Sequence, residues 1–448
     1  MDTLIQLLDA LDGIDYKKYV IVFSCAIFGF EQYLNHRQHR RYLMPNRPKE
    51  LADIVTEEDF KKAQSYNSDK SRFGFVHDVI KQAESVALLY YNGMAWLWYA
   101  SGHLLETYTG YGPEYQILQS LVFSILFSWY STLTSLPFSL YSNFVIEEKH
   151  GFNKQTLGLY FSDLLKQQLI MVVLMCPILS VCLWIMQSTG DNFFFYVWVV
   201  LMVFQLFIIT IYPSVIQPLF NKLTPMDEGE LRTQIESLAA RIHFPLKKLY
   251  VIDGSKRSSH SNAYFYGFGK NKQIVLFDTL IEQSDNDEIC AVLAHELGHW
   301  KMSHTLKLLV VTQLYTVTMF WFFSFFIHNA KFYRDFGFHT TPVLIGFVLF
   351  QCIYAPVDST ISFLMHVYQR KNEYEADAFA LQLGFASKLR SALIKLSVKN
   401  LGGFNMDPWY SAWNNSHPTL TERLNKLGVQ PSTDKPISVD EKESKKDL

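Results

Sequence analysis

Residues 295–299 read His-Glu-Leu-Gly-His, a short segment whose residue types and spacing define a chemistry. Residues four apart share one face of a helix, so His295 and His299 can present imidazole nitrogens to a single metal ion. Glu296 lies beside them, where it can take a proton from the water that attacks a peptide bond. The pattern predicts the catalytic zinc of a metalloprotease, with one Zn²⁺ per chain. Such a zinc also needs a third protein ligand.

The best candidate for the third ligand is Glu373, in a segment predicted to be helical. Asp377 lies four residues later on the same face, where it can accept a hydrogen bond from the outer nitrogen of a ligand histidine. Considered alone, such a pair is more often a solvated acidic helix face. A third donor is required, and Glu373 is expected on the same side of the predicted membrane as His295 and His299, which favours the metal interpretation.

Two further candidates follow near the C-terminus, His417 and Arg423. A donor near the scissile carbonyl would stabilise the tetrahedral oxyanion, which is the role expected of His417 as a catalytic residue. Arg423 is expected to support it. Considered alone, a histidine in this position is more often an ordinary polar surface residue.

The elements that must position the His-Glu motif at 295–299 form a small α/β unit at 222–307. Residues 285–288, Asp-Asn-Asp-Glu, supply a cap and acidic first-turn charge for the helix that carries the His-Glu motif. Residues 249–252 predict a strand, and 262–268 with 273–278 predict a hairpin. Ahead of them, Leu231, Ile235 and Leu238 have the spacing of an amphipathic helix.

The composition of the 448 residues predicts a membrane protein. Hydrophobic residues make up 49% of the chain and charged residues only 18%, below the roughly 25% typical of soluble domains. The net charge of −2 provides no basic field for nucleic acid, which we exclude as a partner. No cysteine pair is spaced as C-x-x-C, so a cysteine zinc site is not expected.

Apolar runs long enough to cross a bilayer as helices recur along the chain. Six contain no Asp, Glu, Lys or Arg, and a seventh, at 19–30, is shorter. The six are 85–105, 115–146, 167–190, 192–221, 308–330 and 336–357. The basic loop after the first run predicts a cytosolic location for that loop. Seven spans then place the N-terminus in the lumen and the C-terminus in the cytosol.

Four segments together resemble the Ste24 family, the type I CAAX prenyl proteases, over roughly residues 19–427. They are Ser-Asn-Ala-Tyr-Phe-Tyr-Gly at 261–267, Ala-His-Glu-Leu-Gly-His-Trp at 294–300, Glu-Tyr-Glu-Ala-Asp-Ala-Phe-Ala at 373–380 and Ser-His-Pro at 416–418. The motif at 295–299 alone is common to many zinc proteases, but the four in this order are specific. One departure is Glu375, where the family frequently has Gln.

The resemblance implies an all-α polytopic membrane protein, a seven-transmembrane-helix barrel enclosing a large chamber, with a small cytosolic α/β gluzincin-like zinc protease unit. It implies zinc held by His295, His299 and Glu373, with Glu296 as general base. It also implies that Asn262 and the neighbouring strand residues Ala263 and Tyr264 bind the substrate backbone by β-augmentation.

The activity implied is removal of the last three residues from prenylated, farnesylated CAAX proteins. A second upstream cleavage, as in a-factor or prelamin A maturation, is a further expectation. The alternative is an HtpX-like protease of membrane-protein quality control, although those relatives have fewer spans. A transporter or scaffold would be the non-enzyme alternative, but no repeat between two halves of the bundle favours it.

The expected setting is the endoplasmic reticulum membrane, including the inner nuclear membrane, with the chain monomeric among membrane lipids. Lysines at the fourth and third positions from the C-terminus resemble a dilysine retrieval signal. The expected division is 1–221, spans one to five; 222–307, the zinc protease segment; 308–366, spans six and seven; 367–430, the helical part with the third ligand; and 431–448, a disordered tail.

Overall fold

The computed structural model describes residues 13–267, 269 and 271–428, and helices account for most of them. The predicted tail with its dilysine sequence lies outside the described residues. Helices of the N-terminal half are α1 (Tyr16–Tyr42), α2 (Glu57–Tyr90), α3 (Gly93–Thr109), α4 (Gln116–Tyr141), α5 (Leu157–Ser188) and α6 (Phe193–Ile211). Those that follow are α7 (Glu230–Arg241), α8 (Asp278–Gln283), α9 (Asn286–Lys301), α10 (His304–Ser324), α11 (Ala330–Asp335), α12 (Val343–Gln382), α13 (Ala386–Lys399), α14 (Pro408–Asn414) and α15 (Leu420–Leu427).

Five helical segments among the described residues are long and apolar enough to cross a membrane. Their outward faces are apolar: Leu169 on α5 is 63% exposed and Leu314 on α10 is 61% exposed. Such surfaces are stable when they face lipid rather than water. The five segments are Gln116–Glu147, Leu157–Ser188, Gly190–Leu219, His304–Ser324 and Val343–Gln382.

The two other predicted spans, 85–105 and 19–30, are helical, but their helix boundaries differ from those expected. Residues 85–105 do not form one helix, because α2 ends at Tyr90 and α3 begins at Gly93. Asn92 between them has a φ of +56°, a left-handed conformation that ends one helix before the next begins. The run at 19–30 lies within α1, which continues into the basic segment. The count of seven spans therefore stays a prediction.

A four-stranded sheet of order β1–β2–β4–β3 supports the α/β unit at 222–307. Its strands are β1 (Leu223–Pro225), β2 (Leu246–Ile252), β3 (Ala263–Tyr266) and β4 (Lys272–Phe277). The predicted hairpin is confirmed, because β3 and β4 pair antiparallel, while β2 and β4 pair parallel. The central position of β4 explains why Ile274 and Leu276 are fully buried together with Val275 between them. β3 is left at one edge of the sheet.

The start of α9 is fixed by the predicted cap. The Asp285 carboxylate accepts from the Glu288 backbone N–H at 2.8 Å, and the Glu288 carboxylate accepts from the Asp285 backbone N–H at 3.0 Å. This reciprocal pair satisfies two backbone donors that the first helical turn leaves open. Glu288 also accepts hydrogen bonds from Ser391 and Lys395, so the cap joins α9 to α13.

Helix α12 runs without interruption for 40 residues, from Val343 to Gln382. It contains both the last apolar span and the segment with Glu373 and Asp377. The expected boundary between 366 and 367 falls inside this helix. The membrane part and the catalytic part of the chain are therefore joined by one continuous element rather than by a loop.

An ion pair connects the first helix to the C-terminal segment, 370 residues away. Asp407 caps α14 by accepting from the backbone N–H groups of Trp409 and Tyr410. Its buried carboxylate also accepts from Arg37 on α1, with Arg37 Nη2 2.9 Å from Asp407 Oδ2. Gln38 reinforces the contact, since its side-chain oxygen accepts from the Asp407 backbone N–H at 2.8 Å. α1 is thereby held against the segment that precedes His417.

We expect Asp407→Asn to lower the midpoint of thermal unfolding in detergent by a few degrees at neutral pH. Burial alone would raise the pKa of Asp407, but the hydrogen bonds from Arg37 and the backbone lower it below its ordinary value. The carboxylate therefore stabilises the fold above the unfolded-state pKa of about 3.9, and this stabilisation is lost as pH falls through the lower folded-state pKa.

The difference between wild type and Asp407→Asn should be constant from about pH 8 to pH 5.5 and shrink below about pH 4. Asp407→Ala should lose a further ~1 kcal/mol, because it also removes the helix cap. Asp53→Asn, at an exposed position, is the matched control. A difference that is the same at pH 4 and pH 8 would contradict the ion-pair explanation.

Candidate metal centre

Three side chains converge where α9 meets α12. His295 and His299 come from one face of α9, and Glu373 comes from α12. The two Nε2 atoms are 3.2 Å apart, and Glu373 lies 3.5 Å from His295 Nε2 and 3.2 Å from His299 Nε2. One ligand atom from each residue lies within 4.8 Å of the others. The structure thus brings together the three residues predicted to hold zinc.

The chemistry of this group fits a cation. Glu373 Oε2 is buried without a hydrogen bond from the described residues; His295 Nε2 lies 3.5 Å away and Arg423 Nη1 3.8 Å away, so a cation in direct contact would stabilise it. Burial disfavours a charged His295, but the nearby carboxylates of Asp377 and Glu373 outweigh it and raise the pKa of His295 to about 9. Burial would likewise raise the pKa of Glu373, yet the two histidines hold it well below its ordinary value. The carboxylates of Asp377 and Glu373 thus favour a positive charge beside them. A bound metal ion would supply that charge.

Asp377 and Arg423 lie directly behind His295. Asp377 Oδ1 is 2.8 Å from His295 Nδ1, the nitrogen that points away from the other two ligands. Arg423 on α15 donates to both Asp377 oxygens, at 2.9 Å and 2.5 Å, and Asp377 is 2% exposed. Burial opposes the charge on Asp377, but His295 and Arg423 lower its pKa. Arg423 therefore neutralises Asp377 and fixes the direction of its carboxylate, and it lines the same cavity as His417.

Glu296 and His417 occupy the open side of the centre. Glu296 projects from α9 into a cavity, and desolvation raises its pKa although both histidines oppose the shift. His417 follows α14, with Nε2 3.4 Å from Glu373 Oε1 and a side chain that is 67% exposed. Its Nδ1 contacts the Ser416 hydroxyl at 3.0 Å. His417 is thus mostly exposed, whereas His295 and Glu373 behind it are buried.

The cavity has a volume of about 380 Å³, and one of its walls is the edge strand. Asn262 and Ala263 line it, as predicted for substrate binding. The Tyr264 side chain does not, because it points elsewhere and its hydroxyl accepts a hydrogen bond from Gln217. The outer edge of β3 pairs with no other strand among the described residues. The opposite wall is aliphatic and consists of Leu280, Val292, Leu389, Leu393 and Leu396.

Sequence reasoning missed a second contact behind the ligands. Glu375, the position at which this chain departs from the family's frequent Gln, lies 3.1 Å from His304 Nε2. His304 is 1% exposed, and its Nδ1 is 3.0 Å from His299 Nδ1. The available signal was a histidine five residues after His299, at the start of the following helix. The aliphatic residues of α13 were also missed, because their apolar spacing is the same as that of any core-facing helix.

Matches to known protein families cover almost the whole chain. Residues 35–222 match the family described as CAAX prenyl protease N-terminal, five membrane helices, and residues 225–429 match Peptidase family M48. CAAX prenyl protease 1 homolog of Oryza sativa is 46% identical over 416 residues, which is 93% of this chain and 98% of the relative.

Two other matches are as extensive. CAAX prenyl protease 1 of Saccharomyces cerevisiae is 41% identical and covers 93% of this chain and 96% of the relative. The crystal structure of S. mikatae Ste24p superposes with a TM-score of 0.88 and 42% identity, covering 93% of this chain and 99% of that one. The similarity therefore extends over both the membrane helices and the unit that contains the metal centre.

We expect Asp377→Ala to weaken metal binding by about 10–100-fold, because His295 loses the partner that fixes its ring and its proton. Arg423→Lys should weaken it less, since the charge remains but the two-bond contact with Asp377 is lost. Metal dissociation constants from competition with a chromophoric chelator measure both effects. Asp227→Ala, at an exposed site of the same unit, is the control. Unchanged affinity in Asp377→Ala would refute the supporting role.

Proposed function

This chain belongs to peptidase family M48 and has the N-terminal membrane domain of the CAAX prenyl proteases, and we propose that it removes the last three residues of prenylated CAAX proteins. The proposal depends chiefly on one observation. Three candidate metal donors, the Glu296 carboxylate and the outer edge of β3 line one cavity, beside the end of a helix that contains a candidate membrane span. This arrangement can bind an extended peptide and hydrolyse one of its bonds.

Substrate recognition in this proposal begins at β3. An extended peptide adds to the outer edge of the sheet, where its backbone hydrogen bonds with the strand beside Asn262 and Ala263. The aliphatic wall, including Leu280 and Leu393, faces the same space. It suits the two aliphatic residues of a CAAX tail, because apolar side chains leave water when they contact it. The prenyl chain remains on the membrane side.

The metal in this proposal is one zinc ion per chain, with His295, His299 and Glu373 as ligands. When bound, it supplies a Lewis acid that polarises the scissile carbonyl and makes water acidic enough to be activated near neutral pH. Two nitrogens and one carboxylate oxygen leave the open position that a catalytic zinc requires. A Glu ligand and a Glu base make the site gluzincin-like.

The chain's own residues move the proton and stabilise the charge. Glu296 accepts a proton from the attacking water as its oxygen bonds to the scissile carbonyl carbon. It then returns that proton to the departing amide nitrogen as the carbon–nitrogen bond breaks. His417, exposed and close to Glu373, donates to the carbonyl oxygen as negative charge develops there. Asp377 and Arg423 only hold His295.

The quality-control protease of the HtpX type remains the alternative function. It would use the same zinc residues but cut misfolded membrane proteins internally. The match of residues 35–222 to the CAAX protease N-terminal family favours prenylated substrates instead. A second cleavage upstream of the CAAX tail is part of the proposal as an additional activity of the same site.

We expect the purified chain to release the terminal tripeptide from a farnesylated CAAX peptide, as detected by mass spectrometry. Glu296→Gln should cleave the peptide about 10²–10⁴-fold more slowly, because glutamine has nearly the shape of glutamate but cannot accept the proton of the attacking water. Both proteins should contain one zinc per chain by elemental analysis. His417→Gln should lower kcat by about 10²-fold with little change in KM.

The same peptide with Asp after the prenylated Cys is the specificity control, since a charged residue would face the aliphatic wall. Loss of zinc from Glu296→Gln would make its inactivity uninformative about the base. Failure to cut the peptide by a zinc-loaded wild type that cleaves a membrane protein internally would establish the quality-control function instead.

The setting that we propose is the endoplasmic reticulum membrane, with a monomeric chain, a lumenal N-terminus and a cytosolic C-terminus. This orientation places the metal centre in the cytosol, where newly prenylated proteins are present. We expect a glycosylation acceptor fused ahead of residue 1 to be modified in cells and the same acceptor fused after residue 448 to stay unmodified. The reverse pattern would overturn the orientation.

A further inference from the structure

His304 is a buried histidine that the proposed reaction does not use. It is the first residue of α10, and the chain reverses just before it at Ser303, whose φ is +57°. This left-handed residue turns α10 back against the end of α9. The reversal places the His304 ring edge-on to the His299 ring, with centroids 5.1 Å apart. His304 does not line the catalytic cavity.

The hydrogen-bond directions through this group can be assigned from the chemistry of a neutral imidazole. His299 Nε2 faces His295 and Glu373, so it is the metal-binding nitrogen and Nδ1 must hold the proton. That N–H donates to His304 Nδ1 at 3.0 Å. His304 therefore has its own proton on Nε2, and this N–H donates to Glu375 Oε2 at 3.1 Å. The carboxylate at the end fixes both tautomers.

From this geometry we propose that His304 and Glu375 are positioning residues for the metal ligand His299. They set the orientation of its ring and keep its metal-binding nitrogen free of a proton. The proposal rests on the metal assignment under the proposed function. Glu375 is the carboxylate equivalent, for His299, of Asp377 for His295, with His304 inserted between carboxylate and ligand.

The two histidine ligands differ in how much they need such support. Both rings line the cavity, but the His299 side chain is 18% exposed and that of His295 only 7%. The more exposed ring is packed less completely by its neighbours, so a buried hydrogen-bond partner contributes more to holding it. One helical segment of α12 then supplies Glu373 as a ligand and Asp377 and Glu375 as supports.

Four variants test the pair. His304→Phe keeps an aromatic ring but loses the acceptor for His299, and Glu375→Leu loses the acceptor for His304. Glu375→Gln keeps a side-chain oxygen in the same place, so it should rescue what Glu375→Leu loses. Glu282→Leu, at an exposed position on α8, controls for removal of a surface carboxylate.

The measurements are the Zn²⁺ dissociation constant by chelator competition, the visible spectrum of the Co²⁺-substituted protein, and kcat and KM with the farnesylated peptide. We expect His304→Phe to weaken Zn²⁺ binding by about 10–100-fold and Glu375→Leu by about 10-fold. Glu375→Gln and Glu282→Leu should stay within about twofold of wild type. The Co²⁺ bands should shift in the two weakened variants, and KM should not change because neither residue touches substrate.

Wild-type affinity and spectrum in both His304→Phe and Glu375→Leu would overturn the proposal. Equal losses in Glu375→Gln and Glu375→Leu would also overturn it, because the rescue depends on the hydrogen-bond acceptor. Glu375 is 38% exposed, so its variants can be purified folded even if His304→Phe cannot. A wild type that binds no Zn²⁺ would instead refute the metal assignment itself.

Discussion

The close crossing of α9 and α12 is the constraint on which the metal centre depends. Gly298 lies at the crossing, where a Cβ atom would be 3.2 Å from the Ala376 Cα and 3.3 Å from its carbonyl oxygen. These contacts are tighter than most side chains make, so a Cβ at this position would press the two helices apart by a few tenths of an ångström. His295 and His299 flank Gly298 on one helix, and Glu373 precedes Ala376 on the other. Any increase in this separation would move Glu373 away from both histidines.

The same crossing buries two carboxylates, and positive groups from the surrounding elements pair with them. Asp377 and Glu373 are each less than 10% exposed, a position in which an unpaired carboxylate would be strongly destabilising. Arg423 arrives from α15 to pair with Asp377, and a metal would pair with Glu373. The C-terminal segment is thus part of the centre, although it is far away in the sequence. Asp407 in the same segment pairs with Arg37 and so attaches it to α1.

The local features of the centre could be predicted from the sequence, and the non-local contacts could not. The spacing of His295 and His299 and the cap at Asp285 depend only on helix geometry, so the pattern was sufficient. The choice of Glu373 needed an argument from outside its own segment, the requirement for a third donor on the same side of the membrane, because an acidic face in a helix has no local signature of metal binding. Nothing local predicted that Tyr264 would bond to Gln217, since strand alternation does not specify which face meets which partner.

Prediction from the sequence was limited in the same way for the membrane helices. Hydropathy identified the apolar runs, but it averages over 20 residues and so could not detect the break at Asn92 in the run 85–105. The contact between His304 and Glu375 was also out of reach, because it depends on a chain reversal at one left-handed residue. These features are set by single backbone conformations and by the packing of distant helices, rather than by composition.

The 40 residues of α12 form a rod about 60 Å long, of which one half belongs to a candidate membrane span and the other contains Glu373 and Asp377. A spanning helix accommodates a change in bilayer thickness partly by tilting. No loop separates the two halves, and Pro356 in the apolar half removes one hydrogen bond and provides a place to bend. The placement of Glu373 is therefore tied to that of a helix that also has to fit the bilayer.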